Sequence, residues 1–408
     1  MSSSVSMETR KRKSREDDDE ASSFFSLDEL NQDLLERVLS WLPTSTFFRL
    51  GSVCKRWKSV AASATFRLAC AQIPSRDPWF FMVDLDPHLN QSIVFDSAEK
   101  NWKQLNHPPL LLQSSCPNFI PVAASGGLIC FRNVASNEFI VSNPVTGSCR
   151  KLRPFPQNHN SLHAIAMNST SSSSYKLVLV SGELPKLSFQ VYNSTIDNWE
   201  EETILNRKAG YSLEHDREDD DTVYFLSKAG NVVATNMQRS PSKQYSSVIT
   251  LKNNEEIVYF LSSSGTIVAC NLTHKCFFEY PRLLPVFSEY SIDVVECRGE
   301  MLVVVLSEFL ESASLRVWRF DEDNRSWHQI AAMPPAMSHA FYDKKVDINC
   351  TGAGDQILVC VNSAELCSYV LCDLVRKEWV ELPACCMNGK AKKFMSAFSF
   401  EPRIEASL

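Results

Sequence analysis

The sequence predicts a small all-α module followed by an all-β propeller. Three observations carry that reading. Apolar residues recur at helical spacing between residues 26 and 70. From about residue 77 they recur at period 2, or in unbroken runs of five to eight, between turn residues. An Asx–aromatic signature then appears seven times at a mean step of about 46 residues, within the ~40–50 residues of a propeller blade.

Composition bounds the function. Of 408 residues 44% are hydrophobic, which supplies a sizeable core and excludes a wholly disordered chain. Lys plus Arg is 41 against 48 for Asp plus Glu, a net charge of -7 that suits nucleic acid poorly, so no nucleic-acid partner is expected. The longest apolar runs, such as Met301–Leu306, fall far short of the ~20 residues of a membrane helix, so no membrane partner is expected. The first residues are polar and lack a hydrophobic signal core, which argues against secretion. Fourteen cysteines are scattered, with only Cys385 and Cys386 vicinal, and Cys130, Cys270, Cys360 and Cys372 lie inside apolar runs. Reduced cysteines serve in this way as small core hydrophobes, which points to the nucleus, the cytoplasm or both.

Residues 1–23 read as a disordered charged tail, with a basic cluster from Arg10 to Arg15 and an acidic one from Glu16 to Glu20. The basic cluster is either an import signal or plain solvated chain.

Residues 24–70 form the helical module. Ser26 and Glu29 have capping-box spacing. Leu34, Leu35, Val38, Leu39, Trp41 and Leu42 follow at helical spacing until Pro43, which cannot donate and stops the helix. Thr44 or Ser45 can cap a second helix carrying Phe47, Phe48 and Leu50. A third apolar set comes at Val53, Cys54, Trp57 and Val60. Three short helices cannot bury all these side chains against one another, so part of the stripe needs a partner.

Residues 77–405 form the propeller. Strands are read at Trp79–Val83, Leu128–Phe131, Lys176–Val180, Val223–Leu226, Ile257–Leu261, Met301–Leu306 and Ile357–Val361. An Asx residue closes a strand at Asp96, Asn143, Asn193, Asn236, Asn271, Asp321 and Asp373. Six residues later stand Trp102, Cys149, Trp199, Ser242, Phe277, Trp327 and Trp379. Asx side chains accept backbone hydrogen bonds in tight turns, and each ring would fill the wedge between adjacent sheets. Seven copies suggest seven blades; six stays open, because the fourth copy lacks the aromatic and the next follows after only 35 residues. Ser396–Phe400 is an orphan strand, expected to complete the first blade and close the ring.

The stretches Asp33-Leu34-Leu35-Glu36-Arg37-Val38-Leu39, Leu42-Pro43 and Val53-Cys54-Lys55-Arg56-Trp57 resemble an F-box. With the propeller behind them, the chain beyond its tail is similar to plant F-box/kelch-repeat proteins. Within these it resembles the group of Unusual Floral Organs, Hawaiian Skirt and Leaf Curling Responsiveness, whose ending looks like Phe398-Ser399-Phe400-Glu401-Pro402-Arg403. The fold expected is thus an F-box module followed by a kelch-type β-propeller. Two departures stand out: Leu30-Asn31 where the family usually has Leu-Pro, and a single double glycine, Gly126-Gly127.

The resemblance implies a substrate receptor of an SCF-type E3 ubiquitin ligase. The F-box would dock on a Skp/ASK adaptor, which bridges to cullin and RING subunits. Adaptor-facing residues would be Leu30, Leu34, Leu35, Val38, Leu39, Leu42, Pro43, Val53, Cys54 and Trp57. The propeller would hold a protein target with loops drawn from Asp84–Gln91, Asn106–Pro121, Phe155–Ser161, Leu284–Tyr290, Ser307–Ser312, Pro334–Tyr342 and Ala384–Lys393. The acidic run Glu214–Asp221 would be a further charged loop. Gly352-Ala353-Gly354 lacks the third glycine of a dinucleotide fingerprint, and His159 and His163 lie in a Ser/Asn-rich stretch without helical signal. No catalytic residue, metal or cofactor is therefore expected. Two alternatives remain: a non-ligase F-box scaffold, and a propeller enzyme, which would need a convergent polar cluster at the propeller mouth.

Overall fold

Helical periodicity, proline and short caps set the N-terminal module. In the computed structural model, which describes residues 30–84, 91–106, 119–155, 161–171, 173–208, 224–226, 232–234, 244–262, 265–283, 290–309, 311–387 and 389–408, it contains four helices. They are α1 (Gln32–Ser40), α2 (Thr44–Leu50), α3 (Lys55–Val60) and α4 (Ala64–Ala71). The expected capping box at Ser26 and Glu29 lies outside the described residues. Asn31 caps α1 instead, its side chain accepting from Asp33 N. Pro43 occupies the N-cap of α2 and offers no side-chain bond. Thr44 and Ser45, expected as caps, are spent elsewhere. The fourth helix was not foreseen; Ser63 caps it through Phe66 N, and Phe66 and Cys70 turn inward one turn apart.

The β region is a ring of six four-stranded blades among the described residues. Blade 2 runs Phe119–Ser125, Leu128–Asn133, Phe139–Ser142 and Cys149–Lys151, in hydrogen-bonded order. Blades 5 (Tyr290–Ala332) and 6 (Asp347–Glu381) repeat this order, as do the strands of blade 4 (Ser247–Glu279). Blade 3 starts with Leu162–Ser171, Ser174–Glu183 and Lys186–Asn193; its outer strand Thr203–Arg207 also runs parallel to the outer strand of blade 4. Blade 1 takes three strands from residues 79–106 and its innermost strand from Phe394–Phe400, with Phe81 opposite Phe398. Closure by the C-terminal strand is as the sequence implied.

The seven blades favoured from the repeat become six. The fourth copy, Asn236 to Ser242, lies outside the described residues. The short hairpin before it, Tyr224–Leu226 with Val232–Ala234, pairs only with itself among the described strands. The inner strands of blades 3 and 4 meet directly, since Ile165 N donates to Tyr245 O at 3.0 Å. No further inner strand fits between them.

Strands buried on both faces explain the unbroken apolar runs: Val303 and Val304 point to opposite sides, yet both are fully buried. Each of the six inter-blade wedges holds its own apolar cluster. A seventh cluster joins the helical module to the propeller: Leu35, Leu39, Phe47, Val60, Phe66 and Cys70 enclose Ile404. The module's core is therefore completed by a residue from the far end of the chain.

Candidate functional site

The chain leaves blade 1 at Phe400 and runs as a tail, residues 401–408, between helices and propeller. Glu401 N donates to Gly126 O at 2.6 Å, and Thr44 Oγ1 donates to Pro402 O at 2.6 Å. The Arg403 guanidinium donates to Ile73 O and Pro74 O, and pairs with Glu401 and Glu405. Asn143 Nδ2 holds the carbonyls of Arg403 and Ala406. Gly127 is the seat of the tail: a Cβ there would stand 2.8 Å from Ala406 Cβ and 2.9 Å from Arg403 Cβ. Arg76, just after α4, donates to the carbonyls of Ser40 and Leu42, neutralising the C-terminal end of α1.

A second contact is electrostatic. Glu99 sits in the Asx turn of blade 1 and accepts from Ser45 Oγ, Arg49 and Lys103. The Lys103 ammonium is the largest cause that holds its carboxyl down to about 2. Val145, in the Asx turn of blade 2, packs against the helical core. The helices thus sit on the face formed by the turns between strands 1 and 2 and strands 3 and 4. The opposite face, built from the 2–3 and 4–1 connections, is left clear of them.

The apolar stripe of the helical module divides in two. Leu35 and Leu39 are 1% and 2% exposed and belong to its own core. Leu34 and Val38 are each 54% exposed and Trp41 68%, at positions i, i+4 and i+7 on the outer side of α1. Val53 is 68% exposed, and Pro43 is also exposed. Leu30, Leu42, Cys54 and Trp57 are half-buried. Cys54 is also a cap: its Sγ accepts from Trp57 N at 3.5 Å. Glu36 is buried beside the core; burial works against its ionisation, but hydrogen bonds from Thr65 and Gln32 outweigh that and lower its pKa.

The fold agrees with comparison to known proteins. Residues 27–68 match the F-box domain family. Residues 94–338 match the KIB1-4 beta-propeller family, which covers more than half of the chain. F-box only protein 13 of Arabidopsis thaliana is 55% identical over 98% of this chain and 90% of its own length. The chain is a plant F-box protein. F-box only protein 6 of the same plant is 26% identical over 90% of this chain and 72% of its own. Protein UNUSUAL FLORAL ORGANS, also from that plant, is 24% identical over 87% of this chain and 78% of its own. The propeller family that matches is of the KIB1-4 type rather than the kelch repeat named from the sequence.

F-box proteins are generally SCF substrate receptors, typically non-enzymatic, and the F-box generally binds Skp1-like adaptors. The adaptor-facing set read from the sequence left out Trp41 and Phe48, though both were placed in the apolar stripe, and Leu68 was not singled out; all three are large and exposed. Trp41 could have been found, because it continues the Leu34–Val38 spacing by one turn.

On the opposite face, the candidate loops Asp84–Gln91, Asn106–Pro121, Phe155–Ser161 and Leu284–Tyr290 fall largely outside the described residues, as does Glu214–Asp221. Pro334–Tyr342 is structured as a short helix, Pro335–Ser338, and a 3-10 turn, His339–Phe341. Ala384–Lys393 carries the hairpin Cys386–Met387 with Lys390–Ala391. His163 is in the inner strand of blade 3, with Nε2 2.6 Å from Gly182 O and its ring stacked on Phe260. The inner strands enclose a channel of about 320 Å³ lined by Val122, Met167, Ser247, Val295, Thr351 and Ser399 among others. Gly352 lets blades 5 and 6 close around it, since a Cβ there would overlap Glu296 O. Burial raises the Glu296 carboxyl, which accepts from Gly299 N.

Proposed function

We propose that this chain is the substrate-recognition subunit of an SCF-type E3 ubiquitin ligase, acting in the nucleus, the cytoplasm or both. The F-box docks on a Skp/ASK adaptor, which links it to cullin and RING subunits. The propeller face opposite the F-box holds a protein target for ubiquitination and degradation. The chain does no chemistry; rate comes from holding the target near the charged conjugating enzyme.

The observation that carries this reading is the outer stripe of α1. Leu34, Val38 and Trp41 present aliphatic and aromatic anchors to solvent, side by side, on a helix whose other face is already satisfied. Contiguous exposed apolar surface of this kind marks a docking site, and an amphipathic helix supplies such anchors at i, i+4 and i+7. In this reading Leu30, Leu42, Pro43, Val53, Cys54 and Trp57 border the contact, while Leu35 and Leu39 support it from beneath. The thirteen described cysteines are all free thiols, which fits a reducing compartment.

The test is adaptor capture by a Leu34→Asp, Val38→Asp variant of the full chain. Both side chains are exposed, so the thermal midpoint should hold while adaptor binding is lost. Undiminished capture by a folded variant would remove the ligase reading. Half-lives of copurifying proteins, with and without these substitutions, separate a receptor from a scaffold: unchanged half-lives would leave only adaptor docking.

A further inference from the structure

We propose that Arg132 forms an oxyanion socket under the target face of the propeller, between blades 2 and 3, built to take an acidic or phosphorylated side chain of a protein partner. The proposal rests on the reading that the face opposite the F-box receives the target.

Arg132 breaks the repeat. Counted from the turn between strands 1 and 2, the fifth residue of strand 2 points into the wedge shared with the next blade. In blades 4, 5 and 6 this residue is Tyr259, Val304 or Cys360, each buried in the apolar cluster of its wedge. In blade 2 it is Arg132, only 9% exposed. Cys130, two residues earlier and so on the same face of the strand, belongs to the cluster between blades 2 and 3. A charge thus stands where the other three wedges hold an apolar side chain.

That charge has no counter-ion. A guanidinium stays protonated at any working pH, and burying one without an anion is costly. Arg132 Nη2 donates to Asn137 Oδ1 at 2.5 Å, but Nε and Nη1 are buried with no hydrogen-bond partner. Among the described residues no carboxylate lies within ion-pair distance of it. Glu138, the acid nearest in sequence, is committed to Lys151 at 2.5 Å. In blade 3, Glu202 accepts from Ser188 Oγ, and Glu183 stands opposite Lys186, whose charge offsets it.

The guanidinium is also held in place. Asn133 Oδ1 accepts from Ala135 N and Ser136 N in the turn between strands 2 and 3, and that turn presents Asn137 to Nη2. The Tyr245 ring lies over the guanidinium, 4.6 Å from Cζ, and Tyr245 O is tied to Ile165 N. Nη2 keeps a second hydrogen, so with Nε or Nη1 it makes the two-pronged donor that matches a carboxylate or phosphoryl group. Half-buried Tyr245 is the wall that moves: rotation of such a side chain on contact is common at interfaces and opens the guanidinium edge. Ile120 and Leu162, also half-buried, pack on the same cluster, and Val134, 52% exposed, stands two residues away. One polar anchor among apolar side chains suits a single peptide side chain. It does not suit nucleic acid, which needs a basic stripe and meets a net charge of -7.

The test uses the full-length chain and labelled peptide pools in fluorescence anisotropy. The pools share mixed Leu, Val, Ser and Gly flanks and differ only in a central Glu, phosphoserine or Gln. The Glu or the phosphoserine pool should bind about tenfold tighter than the Gln pool, as charge-assisted contacts to a desolvated donor do. Tighter binding of phosphoserine would assign the anion as phosphoryl; equal or tighter binding of Glu would assign it as carboxylate. Arg132→Met should remove the preference and hold or raise the thermal midpoint, because an apolar side chain replaces an unpaired buried charge. Arg132→Lys keeps the charge without the planar fork and should lose most of the preference with the fold intact. A purely structural arginine predicts the reverse, a lower midpoint with the preference kept. Adaptor capture should stay unchanged in both variants, so failure here is distinguishable from failure of the ligase reading. No preference among the pools, a preference that survives Arg132→Met, or a lowered midpoint in that variant would overturn the proposal. So would tighter binding of oligouridine, or a midpoint raised by inorganic phosphate while no pool is preferred.

Discussion

The indole N–H of Trp199 donates to the carbonyl oxygen of Arg153 at 3.0 Å, and the two residues stand 46 positions apart. Trp327 donates to Pro281 across the same interval, at 2.9 Å. Trp102 donates to Pro383 at 2.9 Å, which carries the contact across the ring closure. Trp102 and Trp327 stand at the start of the outer strands of blades 1 and 5, and Trp199 in the short strand Asn198–Trp199 that precedes the outer strand of blade 3; each reaches a carbonyl just past the outer strand of the blade before it. The repeat thus pins each of these rims to its neighbour with one polar bond, while the ring fills the wedge.

Replacing Trp199 by Phe keeps most of the packing and removes the donor. The expected cost is about 1 kcal/mol, read as a fall in urea midpoint at constant slope. Trp379 is the internal control: its Nε1 is buried without a partner, and the outer strand of the blade before it carries a bulge at Ile330. Trp379→Phe should cost less than Trp199→Phe. The opposite order would dismiss the rim contact as a source of stability.

The tail makes the F-box and propeller interdependent. Ile404→Ala should destabilise the F-box by about 2–4 kcal/mol, since it opens a cavity in a core of only six other fully buried side chains. Gly127→Ala should act on the same contact from the propeller side, through overlap with Ala406 and Arg403 at a cost of about 1–3 kcal/mol. Hydrogen exchange of α1 and α4 amides would report both. Unaltered protection in the two variants would show that the F-box folds without the tail.

Six of the seven Asx positions read from the sequence fall among the described residues, and all six form the expected turn, because an Asx turn is a local device. Asp96, Asn143, Asn193, Asn271, Asp321 and Asp373 each accept a backbone N–H two or three residues on. The partition of the F-box stripe was not. Leu34 and Leu35 are adjacent and equally apolar; which of them is covered depends on how the four helices pack and on Ile404, near the other end of the chain. Gly126-Gly127 misled for the same reason. It read as a repeat glycine pair, whereas its close approach is to the tail. Thr44 and Ser45 looked like caps, but they bond to Pro402 and Glu99, partners that no local pattern reveals.

That partition separates two kinds of F-box variant. Leu39→Ala removes a fully buried side chain and should cost about 2–5 kcal/mol of F-box stability. Any loss of adaptor capture should then be recovered on cooling, as the fold returns. Val38→Asp should lose capture at every temperature with the fold intact. Identical temperature profiles for the two would contradict the division into supporting core and docking face.

Glu99 makes the seam between F-box and propeller sensitive to acid. Its carboxyl is lowered from the ordinary 4.5 to about 2, first by the Lys103 hydrogen bond and, against burial, by Ser45 as well. A carboxyl depressed in the folded chain adds stability above its unfolded pKa and gives it up as pH falls through the folded value. The contribution is therefore complete above about pH 4.5 and fades towards pH 2. Glu99→Gln should lower the thermal midpoint at pH 7, with the gap from the parent chain closing as the buffer is taken below pH 4.5. Exposed Arg49 contributes little of this, being screened by water, so Arg49→Ala should change the gap far less than Lys103→Ala. A gap that stayed constant from pH 7 to pH 3 would place the stabilising partner of Ser45 elsewhere.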